Sequence, residues 1–172
     1  LIKRYFPYIV GRWEKVSEEP IYRKAETEDA VHVRELIYET IDTIFPTCYT
    51  QAGMDYFKKY NSTDRIIKNI QNGYCYCAIL AQDQKFIGTG TLFGSIIKGM
   101  YVKPEYQKNG CGRRIIKELE RKAKENKIEK IELNASPVSK EFYERLGYKH
   151  LAQVKINNNG QYTICYNMFK EM

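Results

Sequence analysis

No stretch of this 172-residue chain stays apolar for the roughly 18 residues that a membrane-spanning helix needs, so a helical membrane protein is excluded. Histidine is scarce, with His32 and His150 the only two, and the cysteines include no CxxC pair. A zinc site wants four clustered thiolate or imidazole ligands. Local spacing assembles none, so no metal is expected. Cys48, Cys75, Cys77, Cys111 and Cys165 are odd in number and scattered, which argues against a disulfide framework. They read as buried strand thiols in a reducing cytoplasm. The first ten residues are basic and aromatic but lack the apolar centre and cleavage site of a signal peptide, and a cytoplasmic location is expected. Hydrophobic residues at 43% and aromatics at 13% supply one packed domain and exclude a disordered or low-complexity chain.

Negative charge is also in short supply: 21 Asp and Glu face 28 Lys and Arg, leaving +7. Much of the excess falls between Lys103 and Lys130, where ten basic residues meet five acidic ones. A nucleic-acid face would show a cleaner basic stripe with aromatics between the cations, and no aromatic follows Tyr106 in this stretch. Neither nucleic acid nor a membrane is expected as a partner. Two readings remain, a solvated helix face with local ion pairs and a local anion site.

Residues 1–20 read apart from the rest, as an N-terminal arm or extension that ends at Glu18-Glu19-Pro20. Its Phe6, Tyr8, Ile9 and Trp13 would pack on the body or on a neighbouring subunit, a homodimer being one way to bury them. From Ile21 the pattern is regular. A short strand IYRKA leads to Thr27, read as an N-cap with Glu28 and Asp29 in the first turn. Val31, Val33, Leu36, Ile37 and Ile41 then mark a helix. Two further helical stretches cover Ala52 to Tyr60 and the residues after Ser62, closed by Gly73. Strands follow over 74–81, 85–93 and 95–102 as an antiparallel meander. A long helix from Gly112 to about Asn126 precedes a strand at Lys130 to Asn134. Ser136-Pro137 reads as the N-cap and first residue of a short helix reaching Leu146. Two strands, 150–156 and 162–169, flank the turn Asn157-Asn158-Asn159-Gly160. The order predicts a mixed α/β single domain over 21–172.

The informative run is Tyr101-Val102-Lys103-Pro104-Glu105-Tyr106-Gln107-Lys108-Asn109-Gly110-Cys111-Gly112, which leaves a strand and opens a helix. Gly110 and Gly112 permit a tight turn and close approach of a ligand. Unpaired amides at the helix start, with Lys108, Arg113 and Arg114 around them, suit a phosphate or pyrophosphate. The run is not a Walker A motif, because no Gly-Lys-Ser/Thr ends it, nor a dinucleotide fingerprint, because it follows a meander.

With these residues the sequence resembles the GNAT superfamily of acyl-CoA-dependent N-acyltransferases. The signature Gln/Arg-x-x-Gly-x-Gly/Ala is similar to Gln107 to Gly112, and a second signature is similar to Asn134-Ala135-Ser136 followed by Phe142 to Tyr148. The resemblance covers about residues 21–170. It implies a mostly antiparallel, twisted sheet flanked by helices and splayed at its central strands.

The resemblance also implies acetyl-CoA as co-substrate. Its pyrophosphate would lie on Gln107, Lys108, Asn109, Gly110, Cys111, Gly112 and Arg113. Met100 and Val102 would offer backbone groups to the pantetheine arm, one of their amides serving as an oxyanion donor. Asn134 would close the neighbouring strand; Lys140, on its charge alone rather than on the resemblance, would meet the 3′-phosphate. Tyr143, four residues before Gly147, matches the tyrosine that protonates the departing thiolate in relatives. Many relatives carry a Glu eleven residues before the motif Gln; here that position is Ile96, so the base is an ordered water or a substitute such as Glu132. Acceptor specificity falls to Ile41–Tyr60, where Tyr49, Asp55 and Tyr56, beside Glu39, Asp42 and Gln51, would seat a primary amine. That amine is a small molecule or a peptide lysine. The implied function is N-acetylation by direct attack in a ternary complex. The alternative is a catalytically weak acyl-CoA sensor or partner-binding module.

Overall fold

The computed structural model describes residues 19–158 and 161–172. The expected arm over 1–20 therefore lies almost wholly outside the described residues. The first strand, β1 (Ile21–Lys24), leads through a 3-10 turn to helix α1 (Ala30–Ile44). Thr27 is not the cap that the sequence suggested. Glu26 caps the turn, and Asp29 returns the favour by accepting the Glu26 amide at 2.8 Å. Arg23 fixes Asp29 in place with a two-pronged bond at 2.6 and 2.9 Å. The core stripe of α1 is Val33, Leu36, Ile37 and Ile41, while Val31 faces solvent, one position off the stripe expected for it.

Helices α2 (Gln51–Tyr60) and α3 (Thr63–Asn72) follow, then the meander β2 (Tyr74–Ile79), β3 (Phe86–Phe93) and β4 (Ile96–Val102). Helix α4 (Cys111–Glu125) returns to β5 (Lys130–Ala135). Helix α5 spans Lys140–Arg145 and starts later than expected. Ser136 and Pro137 form a preceding turn in which the Ser139 and Lys140 amides bond the Ser136 carbonyl. The long hairpin β6 (Lys149–Asn158) and β7 (Gln161–Glu171) completes one seven-stranded sheet in the order β1-β2-β3-β4-β5-β7-β6.

Each face of this sheet carries its own core. On one side Ile115, Ile116, Leu119 and Ala123 of α4 are wholly buried and pack with Ile131, Leu133, Met168 and Tyr143. Close approach of α4 needs two glycines on β3. A Cβ at Gly88 would meet Cys111 and Ile115 at 2.9 Å, and one at Gly90 would meet Ile115 and Met100 at 2.9 Å. On the other side α1, α2 and α3 pack Leu36, Ile37, Ile41, Met54, Ile66 and Ile70 against Cys75 and Cys77. The cysteines are free thiols, four of them buried; Cys75, Cys77 and Cys165 are strand residues as expected, whereas Cys111 opens α4 and Cys48 is partly exposed beyond α1.

The join between β4 and β5 is the unusual place. It is the parallel step in an otherwise antiparallel sheet, and it holds only at Ile96–Glu132 and Ile97–Leu133. Past these pairs the strands part. On its other edge β4 pairs Thr91 with Lys98 and Thr89 with Tyr101, so one extra residue is accommodated in β4. Gly99, at φ +60°, takes up this bulge.

Candidate active site

The parting of β4 from β5 opens a cleft of about 800 Å³. The turn after β4 forms one end. Gln107 donates its side-chain amide to the Val102 carbonyl at 2.8 Å and so ties the turn to the strand it leaves. Lys108 and Gly110 both adopt positive φ, at +62° and +84°. A side chain at Gly110 would meet no atom, so backbone conformation is what requires glycine there. Gly112 differs, because a Cβ would press on Phe142, Met100 and Val102 at 3.3–3.5 Å. The first helical amide bonded is that of Arg114, to Gly110 O. The amides before it point into the turn without helical partners, as at any helix start.

Of the residues expected at a CoA site, Met100, Val102, Gln107, Lys108, Gly110, Gly112, Arg113, Asn134 and Tyr143 line the cleft together. Asn109 and Cys111 do not, and the Cys111 side chain is buried against the α4 core. Lys140 is also outside the lining, engaged with Glu144 at 2.9 Å and with the Tyr166 ring at 5.4 Å. Glu132 is not part of the lining either; it is the register partner of Ile96 and is engaged in an ion pair with Lys130 at 2.8 Å.

Charge around the turn is more local than the sequence suggested. Lys103 is buried and bonded to Glu39; Arg114 pairs with Glu19 and lies over the Tyr22 ring at 4.0 Å. Arg121, Lys122 and Lys130 are likewise held by neighbouring carboxylates. Within Lys103–Lys130 the cations lining the cleft are Lys108 and Arg113. Five of the ten cations in this segment are thus held by carboxylates, and three of those carboxylates, Glu19, Glu39 and Glu132, lie outside it.

Tyr143 comes from α5, on the α4 side of the sheet, and is 5% exposed. Burial pushes its phenol well above the ordinary range, so it stays protonated. Tyr101, on β4, is raised for the same reason, and its hydroxyl accepts from the Asn61 amide at 3.4 Å. Asn61 also donates to Phe57 O at 2.8 Å, and it is buried. The formal glycosylation triplet Asn61-Ser62-Thr63 is thus part of the helix junction.

The opposite half of the cleft lies on the α1–α3 side. Its walls are Phe45, Tyr56, Phe57, Tyr60 and Tyr101, with Ile96, Lys98 and Ile156 at the sheet. Tyr56 was foreseen here. Tyr49 and Asp55 were too, but neither lines the cleft. The Tyr49 hydroxyl donates to Ile164 O at 2.9 Å, and Asp55 accepts from Gln51 at 2.8 Å. Lys98 was missed; its strand alternation with Ile96 signals a shared face but not a role. Burial, and then the charge of Arg65, depress its ammonium pKa.

Among the described residues no group of three or more His, Cys, Asp or Glu is placed to hold a metal, and no helix is long and apolar enough to cross a membrane. The model of the acetyltransferase (GNAT) domain family matches residues 46–168. A comparison with curated protein sequences finds no match. Among solved structures, a GCN5-related N-acetyltransferase from Rhodopseudomonas palustris superposes with a TM-score of 0.81 at 20% identity, covering 90% of this chain and 96% of that one. The PaiA N-acetyltransferase of Thermoplasma acidophilum, solved in complex with coenzyme A, gives 0.71 at 18% identity over 89% and 99%. A probable acetyltransferase from Staphylococcus epidermidis gives 0.71 at 18% over 88% and 98%.

Proposed function

The chain belongs to the GNAT acetyltransferase family, and we propose that it transfers an acetyl group from acetyl-CoA to a primary amine by direct attack in a ternary complex. The observation that carries this reading is the gap between β4 and β5. An extended, amide-bearing arm fits where a strand edge has lost its neighbour. Helix-start amides at Cys111–Arg113, with Lys108 and Arg113, suit the pyrophosphate at one end of that gap. Met100 falls in the bulge and has no partner in the β3 register, which suits its backbone to the arm and to a developing oxyanion. Val102 is a weaker candidate, since its carbonyl already accepts Gln107.

In the reaction the amine nitrogen bonds the acetyl carbon, the carbonyl oxygen takes up negative charge, and the C–S bond breaks. The nitrogen loses one proton and the sulfur gains one. Tyr143, held protonated at the cleft, donates to the sulfur as its charge develops. Glu132 is engaged elsewhere, so an ordered water is the better carrier of the amine proton. In assays of thiol release, Tyr143→Phe is expected to lower kcat about a hundredfold with little change in KM for acetyl-CoA. An unchanged kcat removes Tyr143 from the mechanism. The second reading, a binding module without catalysis, is favoured by Ile96 at the position where relatives carry Glu. It predicts CoA binding with no thiol release for any amine.

A further inference from the structure

The acceptor half of the cleft has an uneven inventory. Among its described lining residues on the α1–α3 side there is no Asp or Glu, several aromatic rings, and one cation, Lys98. The carboxylate that does line the cleft, Glu141, is on α5, largely exposed and paired with Arg145 at 2.9 Å. Acidic residues near the acceptor side are already committed. Asp42 pairs with Lys58 at 2.5 Å, Asp55 accepts from Gln51, and Glu39 is bonded to buried Lys103. A polyamine or lysine ammonium would find no counter-charge here.

Lys98 has the opposite deficit. It is half-buried, lies 3.7 Å from the Phe93 ring centroid, and has no carboxylate within ion-pair distance among the described residues. Arg65, stacked over the Tyr60 ring at 4.9 Å, adds to the positive field without an ion pair of its own among those residues. A half-buried ammonium lacking a counter-ion is costly, and an anionic ligand group relieves it.

We propose that the acceptor is an amine carrying a carboxylate on an aromatic or apolar body, such as a free amino acid with that kind of side chain, and that Lys98 receives the carboxylate. This rests on the reading of the cleft as an acetyl-transfer site. The aromatic walls take the apolar body, and the carboxylate fixes which way the amine points. The same arrangement eases the missing base. With Ile96 at that position, the neighbouring Glu132 held by Lys130 and Glu141 held by Arg145, and with positive charge around it, the amine is shifted toward its uncharged, nucleophilic form.

Binding can be read apart from turnover. Calorimetry on the protein saturated with CoA would compare phenylalanine with phenethylamine, its decarboxylated counterpart, and with spermidine and a lysine-containing peptide. Phenylalanine should bind at least about tenfold more tightly than phenethylamine. Lys98→Met should erase that ratio while leaving CoA binding unchanged, and Lys98→Arg should keep it. The proposal is overturned if phenylalanine fails to bind, if spermidine, the peptide or phenethylamine binds as well, or if Lys98→Met preserves the ratio. Selective binding of phenylalanine without acetyl transfer would instead overturn catalysis and leave the acceptor class standing.

Discussion

Asp29 sits at 8% exposure where the first strand turns into α1, and its carboxylate holds Arg23 and the Glu26 amide at once. The Arg23 guanidinium lowers its pKa; burial opposes this, and the amide bond adds to the lowering. A carboxylate lowered in the folded state stabilises the fold above its unfolded value of about 3.9. That contribution is lost as pH falls through the still lower folded value. Asp29→Asn is therefore expected to cost about 2 kcal/mol at neutral pH, measured by urea denaturation, with the two proteins converging below about pH 4. The sequence pointed to Thr27 as the cap, whereas the structure uses Glu26. Arg23 holds the Asp29 that completes the box, and a side chain from the preceding strand is invisible to a local capping rule. Lys98 was hidden for a related reason. Its significance lies in the absence of a partner, which only the folded neighbours reveal.

Elements were easier to read than their joints. The stripe Ile115, Ile116, Leu119 and Ala123 announced α4, and the alternation of Tyr74, Cys75, Tyr76 and Cys77 announced β2, because both periods are local. The turn from Gln107 to Gly112 was legible for the same reason. The bulge in β4 was not, since Ile96 to Val102 reads as an unbroken strand and only Gly99 hints otherwise. Nor could Asp42 and Asp55 be ruled out of the acceptor site before Lys58 and Gln51 were seen to hold them. The trough of Gly88 and Gly90 beneath α4 tests how tightly this element is seated. Gly90→Ala would drive a methyl into Ile115 and Met100, and a loss of about 2 kcal/mol is expected by denaturant unfolding. Met100 also lines the cleft, so CoA affinity should weaken in the same variant.

Across the whole molecule the 28 cations behind the +7 divide into those held by carboxylates and those that are not. Lys103, Arg114, Arg121, Lys122 and Lys130 already have carboxylates, whereas Lys108 and Arg113 face the cleft. Reversing both with Lys108→Glu and Arg113→Glu should weaken CoA binding by at least about tenfold in calorimetry. Lys124→Glu, on the exposed side of α4, should leave it unchanged, and duplex DNA should not compete. The sheet carries a last consequence. Because the strands part at its centre, the cleft reaches from the α4 and α5 face to the α1–α3 face, and the two proposed reactants would enter by separate doorways. If that reading holds, traffic through the site would be two-sided, and either product would depart without waiting for the other to clear its path.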